Sequence, residues 1–149
     1  MPISYTQMLQ FYQQFGKFYT RQFDPLLEQA GLSMKDVNVL LFLANNPEYD
    51  TARDVTLFRG LSKSQVSQAV EFLVSRGLLS RVPDRADRRI VHLTLTDAAR
   101  PLVAEAQRIQ NACGERLLSG FSPEEIGQLD MLLEKALRNG TSLGKGGLA

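Results

Sequence analysis

One cysteine, Cys113, in 149 residues excludes an internal disulfide framework and fits a reducing cytoplasm, where the protein is expected. Histidine also occurs once, at His92, so a histidine-rich metal site is excluded and no metal ligands are assigned. On a strand, that lone imidazole reads as a partly exposed packing residue. No run of about 18 apolar residues exists, so no membrane-spanning helix is expected. The opening MPISYTQMLQ has neither a basic start nor an apolar core, and no signal peptide is expected. The chain also lacks a phosphate-cradling glycine loop, a nucleophile elbow and a histidine–carboxylate–nucleophile set. It therefore reads as a non-enzyme with no cofactor.

What is present is an ordinary globular balance, 44% hydrophobic and 22% charged, in a chain the size of one domain. The net charge of +1 hides an uneven distribution. Between Arg53 and Arg89 eight basic residues face four acids, whereas the remainder carries nine basic and twelve acidic residues. Positive charge gathered in one third of a chain suits contact with phosphates.

Seven of the twelve aromatic residues lie in the first segment, read as a helix from about Ser4 to Ala30. Tyr5, Tyr12 and Tyr19 recur every seven residues, while Met8, Phe11, Phe15 and Phe18 keep three-to-four spacing. Stripes this broad exceed what one neighbour covers and point to a second subunit. Gly31 ends the segment. Ser33 with Asp36 then caps a second helix carrying Val37, Leu40, Leu41 and Ala44 inward. Asn45-Asn46-Pro47 closes it, and a short helix from about Thr51 to Arg59 stops at Gly60.

The most informative stretch is Ser62 to Thr96. Ser62 and Gln65 have capping-box spacing, which fixes the start of the next helix. At 100° per residue, Val66, Ala69, Val70, Leu73 and Gly77 share one side, and Ser64, Gln68, Glu71 and Ser75 the other. Its first two turns present Ser62, Lys63, Ser64, Gln65, Ser67 and Gln68, short or amide-bearing groups able to read base edges. A solvated amphipathic helix has the same pattern, so the helix alone leaves both readings open. Gly77 ends it. Strands over Leu78–Val82 and Ile90–Leu95 flank Pro83-Asp84-Arg85-Ala86-Asp87-Arg88-Arg89, a turn read as a basic wing. Helix and wing together read as a winged helix–turn–helix that contacts double-stranded DNA. Helices from about Asp97 to Ser119 and from Ser122 to Gly140 follow, and residues 141–149 read as a flexible tail. The first of these two carries an apolar seam of Leu102, Ala106, Ile109, Cys113 and Leu117.

This order of elements resembles the MarR family of bacterial transcriptional regulators over about residues 5 to 140. The resemblance is carried by Leu61-Ser62-Lys63-Ser64-Gln65-Val66-Ser67, by Leu73 with Arg76-Gly77-Leu78, by Asp87-Arg88-Arg89 and by Leu93-Thr94-Leu95-Thr96. It implies a mainly α fold with a small β-hairpin wing. About 33–96 would form the DNA-binding lobe, and about 4–30 and 97–140 the dimerisation helices. It further implies a homodimer on a pseudo-palindromic site, with half-sites about one helical turn apart. Asp87 would hold the wing in shape, Arg89 enter the minor groove, and Arg88 contact phosphate or assist at the tip; Arg85 joins them as a candidate DNA-binding residue. Phe72, where relatives often carry charge, and Val55-Thr56-Leu57-Phe58 depart from the family pattern. These departures suggest an altered core between the third helix and the recognition helix.

By the same resemblance the regulator would be a ligand-responsive repressor, with a small aromatic effector as partner. Tyr12, Phe15 and Tyr19 are candidates to line its cleft, with Arg21 countering a carboxylate; core and interface packing is the competing role for these aromatics. Cys113, on an apolar seam, reads as an inert thiol rather than an oxidant sensor. The alternative function is a helical protein–protein adaptor that uses the wing as a protein contact.

Overall fold

Pro25 decides how the chain enters its core. A proline at that position cannot donate to the carbonyl of Arg21, and its ring clashes there, so one continuous helix over Ser4–Ala30 is impossible without distortion. The computed structural model, which describes residues 4–143, accordingly shows two helices: α1 (Tyr5–Gln22) and α2 (Asp24–Ala30), joined at Phe23. This corrects the single helix expected from the aromatic stripes. Phe23 at the break is completely buried, whereas no residue of α1 is.

The rest follows as α3 (Met34–Asn45), α4 (Ala52–Arg59), α5 (Lys63–Ser75), β1 (Leu79–Pro83), β2 (Val91–Leu95), α6 (Arg100–Leu117) and α7 (Pro123–Leu143). A single 3-10 turn, Asp97–Ala99, opens the segment expected to be helical from Asp97. The described chain divides into two units, the first ending at Cys113 and the second beginning at Gly114.

In the first unit α3 is buried along eight consecutive residues, Asp36 to Leu43, so it serves as the central rod. Ser33 holds its start: the backbone N–H and hydroxyl of Ser33 both donate to Asp36 Oδ2 at 2.8 Å. Around α3 the core gathers Phe23, Leu26, Val55, Val66, Leu73, Leu78, Leu93 and Ala106. Each large apolar side chain buried this way stabilises the fold by about 1.5–3 kcal/mol. Thr51 caps α4, with Asp54 returning the bond to the Thr51 N–H at 3.1 Å.

The two strands form one antiparallel hairpin, with Leu79 opposite Leu95, Arg81 opposite Leu93 and Val82 opposite His92. Leu79 and Leu93 are buried, which anchors the base of the hairpin to the helices. On α6, Val103, Ala106, Ile109 and Cys113 are the buried positions; of the expected seam, Leu102 is only partly buried and Leu117 is exposed. Burial pushes the Cys113 thiol above its ordinary value, which keeps it in the unreactive form.

In the second unit Ser122 and Glu125 complete a reciprocal cap, Ser122 N–H to Glu125 Oε2 at 2.9 Å and Glu125 N–H to Ser122 Oγ at 3.2 Å. α7 runs on to Leu143, past Gly140, where the sequence reading ended it. The remainder of the expected tail, 144–149, lies outside the described residues.

Candidate nucleic-acid interface

Ser62 sets the site in register. Its hydroxyl accepts from the Gln65 N–H at 3.1 Å, and the Gln65 side chain accepts from the Ser62 N–H at 3.0 Å. Two of the donors at the head of α5 are thereby satisfied. The start fixed, helical periodicity decides the faces: Val66, Ala69, Val70 and Leu73 turn inward. Ser62, Lys63, Ser64, Gln65, Ser67 and Gln68 are all exposed, and they line one end and one side of the helix. Gly77, at φ 70°, closes α5; Leu78 N–H donates to Leu73 O at 2.9 Å, and the chain turns directly into β1.

Gln68 has a partner that the sequence did not reveal. Lys35, early in α3, donates to Gln68 Oε1 at 2.9 Å. The amide oxygen is thus engaged and the amide N–H groups are those turned outward. A second unforeseen tie comes from Arg76, whose guanidinium donates to the carbonyls of Ala30 (2.9 Å) and Gly31 (3.3 Å). It binds the end of α5 to the end of α2.

At the hairpin tip Arg85, Arg88 and Arg89 are exposed and Asp87 is half-buried. Asp87 Oδ1 accepts from the Arg89 N–H (3.0 Å) and Nε (3.1 Å), and Asp87 Oδ2 accepts from Arg89 Nη2 at 3.1 Å. The paired guanidinium draws the Asp87 carboxyl below its ordinary range and raises that of Arg89. The Arg89 side chain is nevertheless 91% exposed. An exposed ion pair is worth about 0–1 kcal/mol, so it orients the arginine yet yields readily to a phosphate or a groove. Arg53, at the head of α4, lines one surface groove with Arg89 and Val91. Charge clustering alone hinted at Arg53; the fold brings it beside the wing.

His92 departs furthest from its sequence reading. Its Nδ1 lies 2.7 Å from Asp50 Oδ1 and its Nε2 lies 2.8 Å from Asp84 Oδ1. The ring is half-buried as expected, but it joins the α3–α4 loop to the wing turn instead of serving only as packing. Asp50 first, then Asp84, raises its pKa above the ordinary 6.5.

Of the departures expected to alter the core, Val55 is completely buried within it, whereas Phe72, Leu57 and Phe58 are exposed. Phe72 follows Gln68 by four residues and so shares the outer face of α5, where the Arg76 guanidinium lies 5.6 Å from its ring centre. Phe58 packs against Tyr49 with ring centres 4.6 Å apart and stacks on the buried Phe42 at 6.4 Å, at the edge of the core.

Of the cleft candidates, Tyr12 is 76% exposed, Arg21 is exposed and Phe15 is half-buried against Phe11, Phe18 and Tyr19. Tyr19 alone among the four lines a cavity of about 100 Å³, shared with Asn38, Leu41, Phe42, Asn45, Asn46, Arg59 and Gln110. The cation there is Arg59, which donates to Asn38 Oδ1 at 2.9 Å. Burial raises the Tyr19 phenol's pKa, and its oxygen accepts from Gln110 Nε2 at 3.0 Å.

Residues 30–90 match the sequence profile of the MarR family. The fold is shared with a MarR-family transcriptional regulator from Silicibacter pomeroyi, at TM-score 0.77 and 23% identity over 91% of this chain and 89% of that one. It is shared with S. aureus MepR, solved in complex with DNA, at TM-score 0.73 and 22% identity over 91% and 96% of the two chains. CouR from Rhodococcus jostii RHA1, solved bound to p-coumaroyl-CoA, matches at TM-score 0.69 and 26% identity over 83% and 87%. Within each of these folds the chain spans most of its length, and its helix–wing segment, residues 30–90, carries the sequence profile of the MarR family.

Proposed function

We propose that the protein binds double-stranded DNA as a homodimer and represses transcription until a small aromatic effector releases it. One observation carries the DNA reading. A doubly capped helix exposes Lys63, Ser64, Gln65, Ser67 and Gln68 beside a hairpin whose tip exposes Arg85, Arg88 and an Asp87-oriented Arg89. The helix suits the major groove, where amide and ammonium groups read base edges. The arginine tip suits the minor groove, whose potential deepens where A·T pairs narrow it. The DNA complex solved for MepR supports the same use of this fold.

Pairing is supported by apolar surface. On α1, Tyr5, Met8, Leu9, Phe11 and Tyr12 are at least half exposed, as are Met131, Leu132, Leu133 and Leu137 on α7. Faces of this kind favour burial against a partner subunit. The effector reading draws on the Tyr19–Arg59 cavity and on the ligand bound by CouR. At about 100 Å³ the cavity is smaller than an aromatic acid, so entry requires its walls to part.

Titration with labelled promoter duplexes at several salt concentrations tests the DNA reading. Log affinity is expected to fall linearly with log salt, steeply if six or more phosphates are met (about 0.9 per phosphate). Absence of binding even at low salt would favour the adaptor role. Gln68→Ala is expected to relax base preference at its position while leaving the salt slope nearly unchanged, as measured by selection from a random duplex pool. A uniform loss across all sequences would assign Gln68 to the DNA backbone instead.

A further inference from the structure

We infer that His92 is a positioning residue for the wing: as a doubly donating imidazolium it ties the α3–α4 loop to the wing turn, and it thereby makes DNA affinity depend on pH. The inference rests on the reading of the wing as a DNA contact.

Each ring nitrogen faces a carboxylate oxygen, Nδ1 to Asp50 at 2.7 Å and Nε2 to Asp84 at 2.8 Å. A neutral imidazole carries one N–H, so it would set a bare lone pair against one of the two carboxylates. Only the protonated ring satisfies both. Next door, Leu93 N–H donates to the Asp50 carbonyl at 2.7 Å, so strand backbone and ring grip the same loop residue. From Asp84 the linkage continues outward. Its second oxygen accepts the N–H groups of Ala86 (3.0 Å) and Asp87 (2.9 Å), which shape the turn. The Asp87 carboxylate then holds Arg89. One line of bonds thus runs from the helical body to the wing's arginine.

The other charged groups on neighbouring elements are engaged elsewhere or lie off the ring. Lys35 bonds Gln68, Asp36 bonds Ser33, Asp54 bonds Thr51 and Arg59 bonds Asn38. On β1, Val82 stands opposite His92, and Arg81 stands opposite Leu93. Arg53 lines the groove shared with Arg89 and Val91, while Arg85 and Arg88 border the hollow beside Pro83. Asp50 and Asp84 alone hydrogen-bond the ring among the described residues.

The sign is fixed by the direction of the shift. The two carboxylates raise the folded pKa of His92 above 6.5, so the tie is fully present below that value and is lost as pH rises through the raised one. At the acid end the tie is lost as Asp84 is protonated; His92 lowers that carboxyl below 3.8. Because the chain has a single histidine, the ring signal has one source, and loss of the pH profile in His92→Gln separates it from the α-amino group, which titrates in the same range.

The test combines two readouts on the full chain. NMR titration of the His92 ring without DNA is expected to place its pKa above 6.5, and lower in Asp50→Asn. Fluorescence anisotropy uses a duplex that the protein selects from a random pool, at fixed ionic strength between about pH 6 and about pH 9. Wild-type affinity is expected to fall with rising pH, by at most about tenfold per unit of pKa shift. His92→Gln is expected to show a flat profile, and Asp50→Asn to begin its fall at lower pH. A ring titrating at or below 6.5, or a wild-type pH profile retained in both variants, would overturn the inference. Failure of every duplex to bind at any pH would overturn the DNA reading and the proposed affinity effect with it. The ring titration would still judge the tie on its own.

Discussion

Phe23→Ala is expected to lower the free energy of unfolding by about 3–5 kcal/mol, the largest stability loss foreseen for any single truncation in this chain. Phe23 is completely buried at the break between α1 and α2, with its ring centre 5.0 Å from that of Tyr19. Its carbonyl accepts the Leu27 N–H at 2.9 Å, so the residue also starts α2. Truncation therefore opens a cavity where two helices meet, and the Pro25-fixed backbone limits collapse into it. Phe58, 59% exposed, provides the contrast. Its alanine variant is expected to lose about 1–3 kcal/mol, the worth of its ring contacts with Tyr49 and Phe42. Urea unfolding at one fixed protein concentration compares the two, since association would otherwise shift apparent stability. Equal losses would contradict the placement of Phe23 at the pivot of the core.

Arg89→Ala is expected to weaken DNA binding by about 1–3 kcal/mol, with the loss concentrated at the minor-groove flanks of the site. Folding stability should hardly change, because the Asp87–Arg89 pair is exposed and contributes little to it. Competition binding with duplexes whose flanks are A·T-rich or G·C-rich measures this. The wild-type preference for A·T flanks should shrink in the variant. Undiminished affinity and flank preference would remove Arg89 from the DNA contact.

Local signals made much of this architecture legible. Ser62 with Gln65, Ser33 with Asp36 and Ser122 with Glu125 fixed three helix starts, because a capping box lies within four residues of chain. Helical periodicity likewise separated Val66, Ala69, Val70 and Leu73 from the polar face of α5. The break at Phe23 was hidden beneath continuous aromatic stripes, although Pro25 already forbade an undistorted helix there. Phe72, four residues after Gln68, lies on the outer face as its helical angle requires; only its departure from the family pattern suggested a change in the core.

Long-range ties were not legible. Asp50 and His92 are 42 residues apart, and Lys35 and Gln68 are 33 apart. No spacing rule joins such pairs; the hairpin register and the packing of α3 against α5 do. The cleft illustrates the same limit. Aromatic density on α1 suggested Tyr12, Phe15, Tyr19 and Arg21, whereas the fold gives Tyr19 the company of Arg59, Asn38 and Gln110.

Hydroxyl-radical footprinting of a selected duplex tests the central claim most directly, because it reads the sugar protection that a wing lodged in the minor groove produces. The account expects two protected minor-groove segments, one per wing, flanking major-groove contacts in half-sites about one helical turn apart, with the minor-groove protection weakened in Arg89→Ala. Protection confined to one face without any minor-groove signal, unchanged by loss of Arg89, would contradict it.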